Sequence, residues 1–303
     1  MEQFVTFTGR NLKSYFRDRG SVFFSLLSML IVIFLMVFFL GDMYIENTVN
    51  VLSAFPGRDE VADRKNAELL ILIWNFAGIL SINAVTVTLA VYSVMIKDRV
   101  TGKLGSIYTA PVSRGVIAGG YMAAAWIASV LVCTVTLSVT EIYGIMKGME
   151  AFSFVTHMQL MGLIAVNSFV YSAFMYIRAM IAKTEGAWSG IGTVIGTLVG
   201  FLGGIYVPIG SLAKSIGTIM KCTPVIYGTS MFRSLMTKDI IEATFSGAPK
   251  ELLEEYCIVT GIHLELFDRT ISITEEWLGL FLCGILLLAV GIMMLKHGRK
   301  TDR

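Results

Sequence analysis

Three histidines, four cysteines and a few asparagines set in apolar surroundings are the residues of this 303-residue chain that could do chemistry of their own. His157 stands beside an apolar run, His263 in a polar stretch and His297 near the end, so none completes a metal-ligand spacing. HExxH, CxxC, the phosphate-binding GxxxxGK[ST] and the GxSxG elbow are all absent. Zincin proteolysis, dithiol redox chemistry, nucleotide hydrolysis on a P-loop and esterase-type attack are therefore not expected. No catalytic residue and no metal site is predicted. Cys133 and Cys283 read as small apolar packing residues. Cys222 and Cys257 share one polar segment, where an oxidising compartment would permit a disulfide between them. Asn75, Asn83 and Asn167 suit interhelical hydrogen bonds better than ligand contacts.

The elements that carry these residues follow from composition. Hydrophobic residues make up 55% of the chain and charged residues only 15%, where a soluble domain normally carries about a quarter charged. Six stretches approach or exceed the ~20 apolar residues that cross a bilayer: 21–40, 69–96, 115–140, 157–177, 186–208 and 277–295. None contains Asp, Glu, Lys or Arg. Proton- and ion-coupled carriers usually place ionisable groups there, so an independent pump is not expected. Alternating polarity of a membrane barrel is missing. The expected fold is an all-α integral membrane protein with six transmembrane helices, a single domain over residues 1–303. The first stretch is too long for a signal peptide's apolar region and lacks a small-x-small cleavage site. With the amino terminus placed inside, the inner segments hold 14 Lys/Arg against five acids, and the outer segments ten against 17. The positive-inside rule then puts both termini in the cytoplasm. A net charge of +2, spread along the chain, gives no reason to expect nucleic acid.

Outside the spans, residues 1–20 fit an amphipathic surface helix. Phe4, Phe7, Leu12, Tyr15 and Phe16 would share its apolar side, with Arg10, Lys13 and Arg17 toward lipid headgroups. Residues 97–114 form a short basic connection that either joins two spans or presents a short helix to another protein. Residues 209–276 follow the fifth span. Their first half is too apolar for a loop and too interrupted for a span, which suits a re-entrant segment covered by protein. Their acidic second half reads as an exposed helical cap. Gly192, Gly196, Gly200 and Gly204 recur every four residues, about 400° of helix, and form a slowly drifting face on which a helix of this chain or of a second subunit could pack closely.

Four stretches, in order along nearly the whole chain, resemble the ABC type-2 permeases, the membrane subunits of bacterial exporters whose fold is shared with G-type half-transporters. RNLKSYFRDRGSVFFSLLSMLIVIFLMVFFLG resembles the family's surface helix running into its first span. KDRVTGKLGSIYTAPVSRGVIAGGY is similar to its cytoplasmic connection, though Lys97 stands where an acid is common. GGIYVPIGSLAK and TPVIYGTSMFRSLM resemble the end of the fifth span and the motif after it, with Ala213 where a proline often follows the leucine. The resemblance implies a coupling helix within 97–114, with Lys97, Asp98, Arg99, Gly102, Leu104, Pro111 and Arg114 contacting a cytoplasmic ATPase subunit, and Lys183 in a second contact over 178–185. It implies an outer gate or re-entrant segment with Pro208, Pro224, Tyr227 and Arg233. It also implies two such subunits, two copies or two homologous permeases, surrounded by lipid. ATP and Mg²⁺ would sit on the partner, with no cofactor in this chain. The aromatic, Met-rich spans suit an amphiphilic cargo such as a drug, a lipid-like toxin or a peptide. A polysaccharide permease and a non-transporting sensor or immunity module are the alternatives.

Overall fold

The computed structural model describes residues 1–55, 57–266 and 269–301, and helices dominate it. In chain order they are α1 (Glu2–Arg17), α2 (Arg19–Leu35), a π-helical turn (Met36–Leu40), α3 (Gly41–Ser53), α4 (Glu60–Val100), α5 (Lys103–Thr109), α6 (Arg114–Met146), α7 (Phe154–Ile181) and α8 (Glu185–Leu202). A 3₁₀ turn (Ile209–Ser211), α9 (Lys214–Lys221), α10 (Pro224–Thr244), α11 (Lys250–Val259), strands β1 (Glu265–Leu266) and β2 (Arg269–Thr270), and α12 (Ile273–Thr301) complete it. The two-residue strands pair antiparallel, Glu265 with Thr270, a small exception to the expected all-helical fold.

Among the described residues, five helices are long and apolar enough to cross a membrane: Arg19–Ser53, Glu60–Val100, Arg114–Met146, Phe154–Ile181 and Ile273–Lys296. The stretch 186–208 is divided instead. α8 supplies 18 residues, about 27 Å at 1.5 Å per residue, and ends at Leu202. Gly204 adopts φ +61°, a left-handed turn that only glycine takes freely, and Ile205 N–H reaches back to the Gly200 carbonyl at 2.9 Å. The chain thus leaves the helix before Pro208.

α4 is the axis of the molecule. Its 41 residues extend about 60 Å, roughly twice the hydrocarbon thickness. From Ala77 to Thr88 every side chain is buried, because α2, α6, α7, α8 and α10 all pack on it. A helix apolar all round is stable only when so surrounded. α10 runs antiparallel along its N-terminal half. Ser81 Oγ approaches the Val225 carbonyl at 3.4 Å, and Arg58 donates to the carbonyls of Thr244 (2.6 Å) and Ser246 (2.9 Å). α12 packs along α7, with Gly284 against Phe169 and Gly291 against Tyr176, so α12 ends at the same end of the bundle as α7. His157 Nε2 lies 2.9 Å from Glu141 Oε2 and closes the turn between α6 and α7.

Two expectations need correction. Arg10 does not point to headgroups but turns inward to Asp98. The Cys222–Cys257 disulfide is not formed, and all four cysteines are free thiols. Cys257 is packed into the main core on α11, whereas Cys222 is exposed at the end of α9, bordering a surface cavity beside Tyr227 and Cys283.

Candidate functional site

Lys97, Asp98 and Arg99 close the end of α4 rather than opening the connection that follows. Asp98 keeps only 4% of its surface. Its two oxygens face both Arg10 terminal nitrogens, Nη2 to Oδ1 at 2.7 Å, and Tyr121 donates its hydroxyl to Oδ2 at 2.6 Å. This fork-to-fork geometry is the strong form of an ion pair. The hydrogen bonds it donates to Asp98 raise the Arg10 pKa above its ordinary value. Arg99 donates to the carbonyls of Ala179 and Ala182 at the end of α7. Both Asp98 oxygens and Arg99 Nη1 are thus engaged inside the chain, tying α1, α6 and α7 to α4. Lys97 is exposed.

The connection after this clamp has a different character. Gly102 takes φ +75° and turns the chain into α5, a helix of seven residues. Leu104, 6% exposed, anchors it and Ile107 is half-buried. Lys103, Gly105, Ser106, Thr109, Ala110 and Pro111 are exposed. Arg114 stacks over the Tyr108 ring at 5.0 Å, and Ser113 caps α6 through the Val116 N–H at 3.3 Å. The bonds from Arg99 hold the start of the 178–185 connection at the end of α4 from which α5 departs. There Lys183 is exposed and Thr184 caps α8 through the Ala187 N–H. Of the residues expected at the coupling surface, Lys97, Gly102, Pro111 and Lys183 are exposed at this end, while Leu104 and Asp98 are buried beneath it.

At the opposite end Arg233, fully buried on α10, joins three segments. It donates to the carbonyls of Thr260 (3.1 Å) and Gly204 (2.9 Å), and its guanidinium lies 3.8 Å from the Trp74 ring centroid. Trp74 Nε1 donates to the same Thr260 carbonyl at 3.0 Å. No carboxylate partners this arginine among the described residues. The two carbonyls sit at the C-terminal ends of α8 and α11, where helix dipoles favour a cation, and the indole face adds a cation–π contact. Pro208 precedes the 3₁₀ turn, Pro224 starts α10, and Tyr227 donates to the Lys221 carbonyl at 2.8 Å. The four expected gate residues thus lie along one segment, with Tyr227 tying α10 to the end of α9 and Arg233 tying it to the ends of α8 and α11.

The glycine face of α8 packs within the chain. A side chain at Gly192 would touch Leu89 at 3.4 Å, and one at Gly200 would meet the Tyr206 ring at 2.3 Å. Gly204 lies in the turn beyond the helix, and Gly196 is half-buried. Of the span asparagines, Asn83 does bridge helices, donating to Thr136 Oγ1 at 2.9 Å. Asn75 Oδ1 and both polar atoms of Asn167 are buried without a partner.

Several functional contacts escaped sequence reasoning: Arg10 and Tyr121 around Asp98, Trp74 beneath Arg233, and Glu276, which is 3% exposed and accepts from Ser230 Oγ at 3.0 Å. Their partners lie 23 to 159 positions away in sequence, so no local pattern marks them; only the odd charge at an apolar helix end could have drawn notice. Compared with known families, residues 2–237 match the family model described as ABC-2 type transporter. No curated protein matches the chain.

Proposed function

The chain belongs to the ABC-2 type transporter family, and we propose that it is the permease subunit of an ATP-driven exporter for an amphiphilic compound. As a permease domain it is a non-catalytic component of transport, a multi-pass membrane protein. In this reading the clamped end of the bundle faces the cytoplasm, and an ABC ATPase subunit carries ATP and Mg²⁺. The exposed surface of α5 and the neighbouring 183–185 turn receive that subunit. A second permease, identical or homologous, completes the pathway, and the segment from Gly203 to α10 acts as its re-entrant outer part. Its position supports this: α10 starts level with Ser81, about 24 Å along α4 from Lys97, near the depth at which α8 ends.

The observation that carries the reading is α5 itself. A seven-residue helix exposed on its outer side follows directly on a helix end locked to α1, α6 and α7. Force applied there moves α4 and not merely a loop. A bistable arrangement biased by nucleotide needs such a connection. The test is co-purification with its ATPase subunit and assay across amphiphiles, neutral oligosaccharides and no ligand. The reading predicts ATPase stimulation by amphiphiles. Stimulation by oligosaccharides alone would turn it to polymer export, and no stable complex with any ATPase subunit would refute it.

A further inference from the structure

Three carboxyls are buried among the described residues: Asp63, Asp98 and Glu276. Asp63 pairs with Arg58 and Asp98 with Arg10. Glu276, the most deeply buried of them, pairs with no described cation. It stands in the first turn of α12, just before the apolar stretch 277–295. That stretch makes about 28 Å of helix, close to the hydrocarbon thickness, so Glu276 sits at the border of the lipid core and outside the span.

Its hydrogen bonds admit two protonation states. Ser230 Oγ on α10 lies 3.0 Å from Glu276 Oε1 and 2.9 Å from the carbonyl of Ile262, in the turn after α11. A hydroxyl has one hydrogen to give. When Glu276 is protonated, its own O–H donates to Ser230, and the Ser230 hydrogen passes on to Ile262. A continuous chain then joins α12, α10 and the turn after α11. When Glu276 is ionised, it draws the Ser230 hydrogen to itself, and Ile262 keeps Ser234 Oγ at 2.6 Å. A buried charge with one donor and no partner ion is costly unless water reaches it.

The groups around it leave that charge uncompensated. On α10, Tyr227 donates to the Lys221 carbonyl, and Arg233 gives its guanidinium to the carbonyls of Gly204 and Thr260. Arg269 of β2 pairs with Glu275 on the exposed side of α12. His263, next to Ile262, interacts with Glu254, and His157 at the start of α7 holds Glu141. Burial pushes the Glu276 carboxyl up to about 8, with the Ser230 hydroxyl opposing it. Beside the contact lies a cavity of about 550 Å³, bordered by Tyr227 on α10, by Gly279, Leu280 and Cys283 on α12, and by Cys222. Gly279 and Leu280 are three and four residues beyond Glu276, on the same side of α12.

We propose that Glu276 is a proton-binding site that closes the seam between α12 and α10 when protonated and opens it, by drawing water in from this cavity, when ionised. The sign follows from the site. The folded chain holds this proton more tightly than the unfolded one. The stability it contributes is therefore complete below the ordinary carboxyl range and lost as pH rises through about 8.

The test uses the full chain alone, in phosphatidylcholine nanodiscs without nucleotide or ATPase, so its outcome is independent of the export reading. Infrared difference spectra taken between about pH 6 and about pH 9 should show the C=O band of a protonated carboxylic acid. That band should disappear on the alkaline side and be missing in Glu276→Gln. Opening of the seam is read as alkylation of the half-buried Cys283 by an uncharged maleimide, in a Cys222→Ser background. At each pH the rate is divided by that of the same protein carrying Glu276→Gln, which cancels the ionisation of the thiol. We expect this ratio to rise about tenfold across the range, the change in ionised-to-protonated ratio that one pH unit produces. Ser230→Ala removes the donor to the carboxylate and should move the infrared midpoint upward by about one pH unit. Loss of no band specific to Glu276, or a flat alkylation ratio, overturns the proposal. If Glu276→Gln does not fold, an unmoved midpoint in Ser230→Ala overturns it instead.

Discussion

Asp98 accepts from groups on two other helices, and its removal would strand Arg10 beside an apolar helix end. Asp98→Ala should therefore destabilise the fold, and not simply leave an intact protein uncoupled, as its place in the connecting motif had suggested. We expect about 2 kcal/mol, less than a fully buried pair costs, because Arg10 keeps 35% of its side-chain surface exposed. The signature is non-additivity: Arg10→Ala combined with Asp98→Ala should cost clearly less than the two single changes summed, since the double variant buries no unpaired charge. Thermal unfolding of the four proteins in detergent measures it, and strict additivity would mean that the pair contributes nothing. At this scale the sequence was partly legible. The family resemblance marked Asp98 and Arg233, and Asn83 stood out as an interhelical bond. Arg10 was placed toward headgroups because helix periodicity shows which residues share a face but not what lies opposite that face, 88 positions later.

α8 and α10 show how element-level reading succeeds and then stops. The apolar run 186–208 was visible, as was the unsuitability of 209–236 for a span. The break at Leu202 was not, because Gly204 continues the four-residue glycine pattern while its backbone has already left the helix. That pattern marks close approach, and the partner turns out to be local. Tyr206 folds back over Gly200, and its backbone carbonyl accepts the Tyr44 hydroxyl at 2.8 Å, tying the turn to α3. Gly200→Leu must therefore displace Tyr206 and strain the turn that presents the Gly204 carbonyl to Arg233. Overpacking of this kind costs about 1–3 kcal/mol. The expected result is a lower melting temperature and early aggregation on size exclusion. A well-folded monomer that had lost only its dimer would instead place Gly200 at a subunit interface.

Across the whole molecule, α4 joins two fastened ends. Asp98 and Arg99 hold one, and Trp74 under Arg233 belongs to the other, with 24 residues of continuous helix from Trp74 to Asp98, about 36 Å. The outer face of α2 and the π turn, by contrast, leaves Phe23, Phe24, Phe34, Phe38 and Phe39 exposed, an apolar surface suited to lipid or a second permease. The five long apolar helices were legible because hydrocarbon imposes length and apolarity on each of them. The role of α4 was not, since it depends on which helices surround it, and similar apolar runs could surround any of them. A rigid central helix makes a specific demand on the surface that would drive it. Ser106→Trp on the exposed side of α5 touches none of the bonds that lock α4, so folding and melting temperature should stay within the small range typical of surface substitutions. Its bulk should block the ATPase subunit, lowering co-purification and ligand-stimulated ATPase activity together by about tenfold. A variant at the other end of the bundle, Lys250→Trp on α11, also exposed, is the control for bulk alone and should behave as the parent. If Ser106→Trp couples normally, α5 is only a connector, and the ATPase must be received elsewhere. If it fails to fold, Lys103→Glu on the same exposed side reverses a charge without adding volume and should reproduce the loss of coupling.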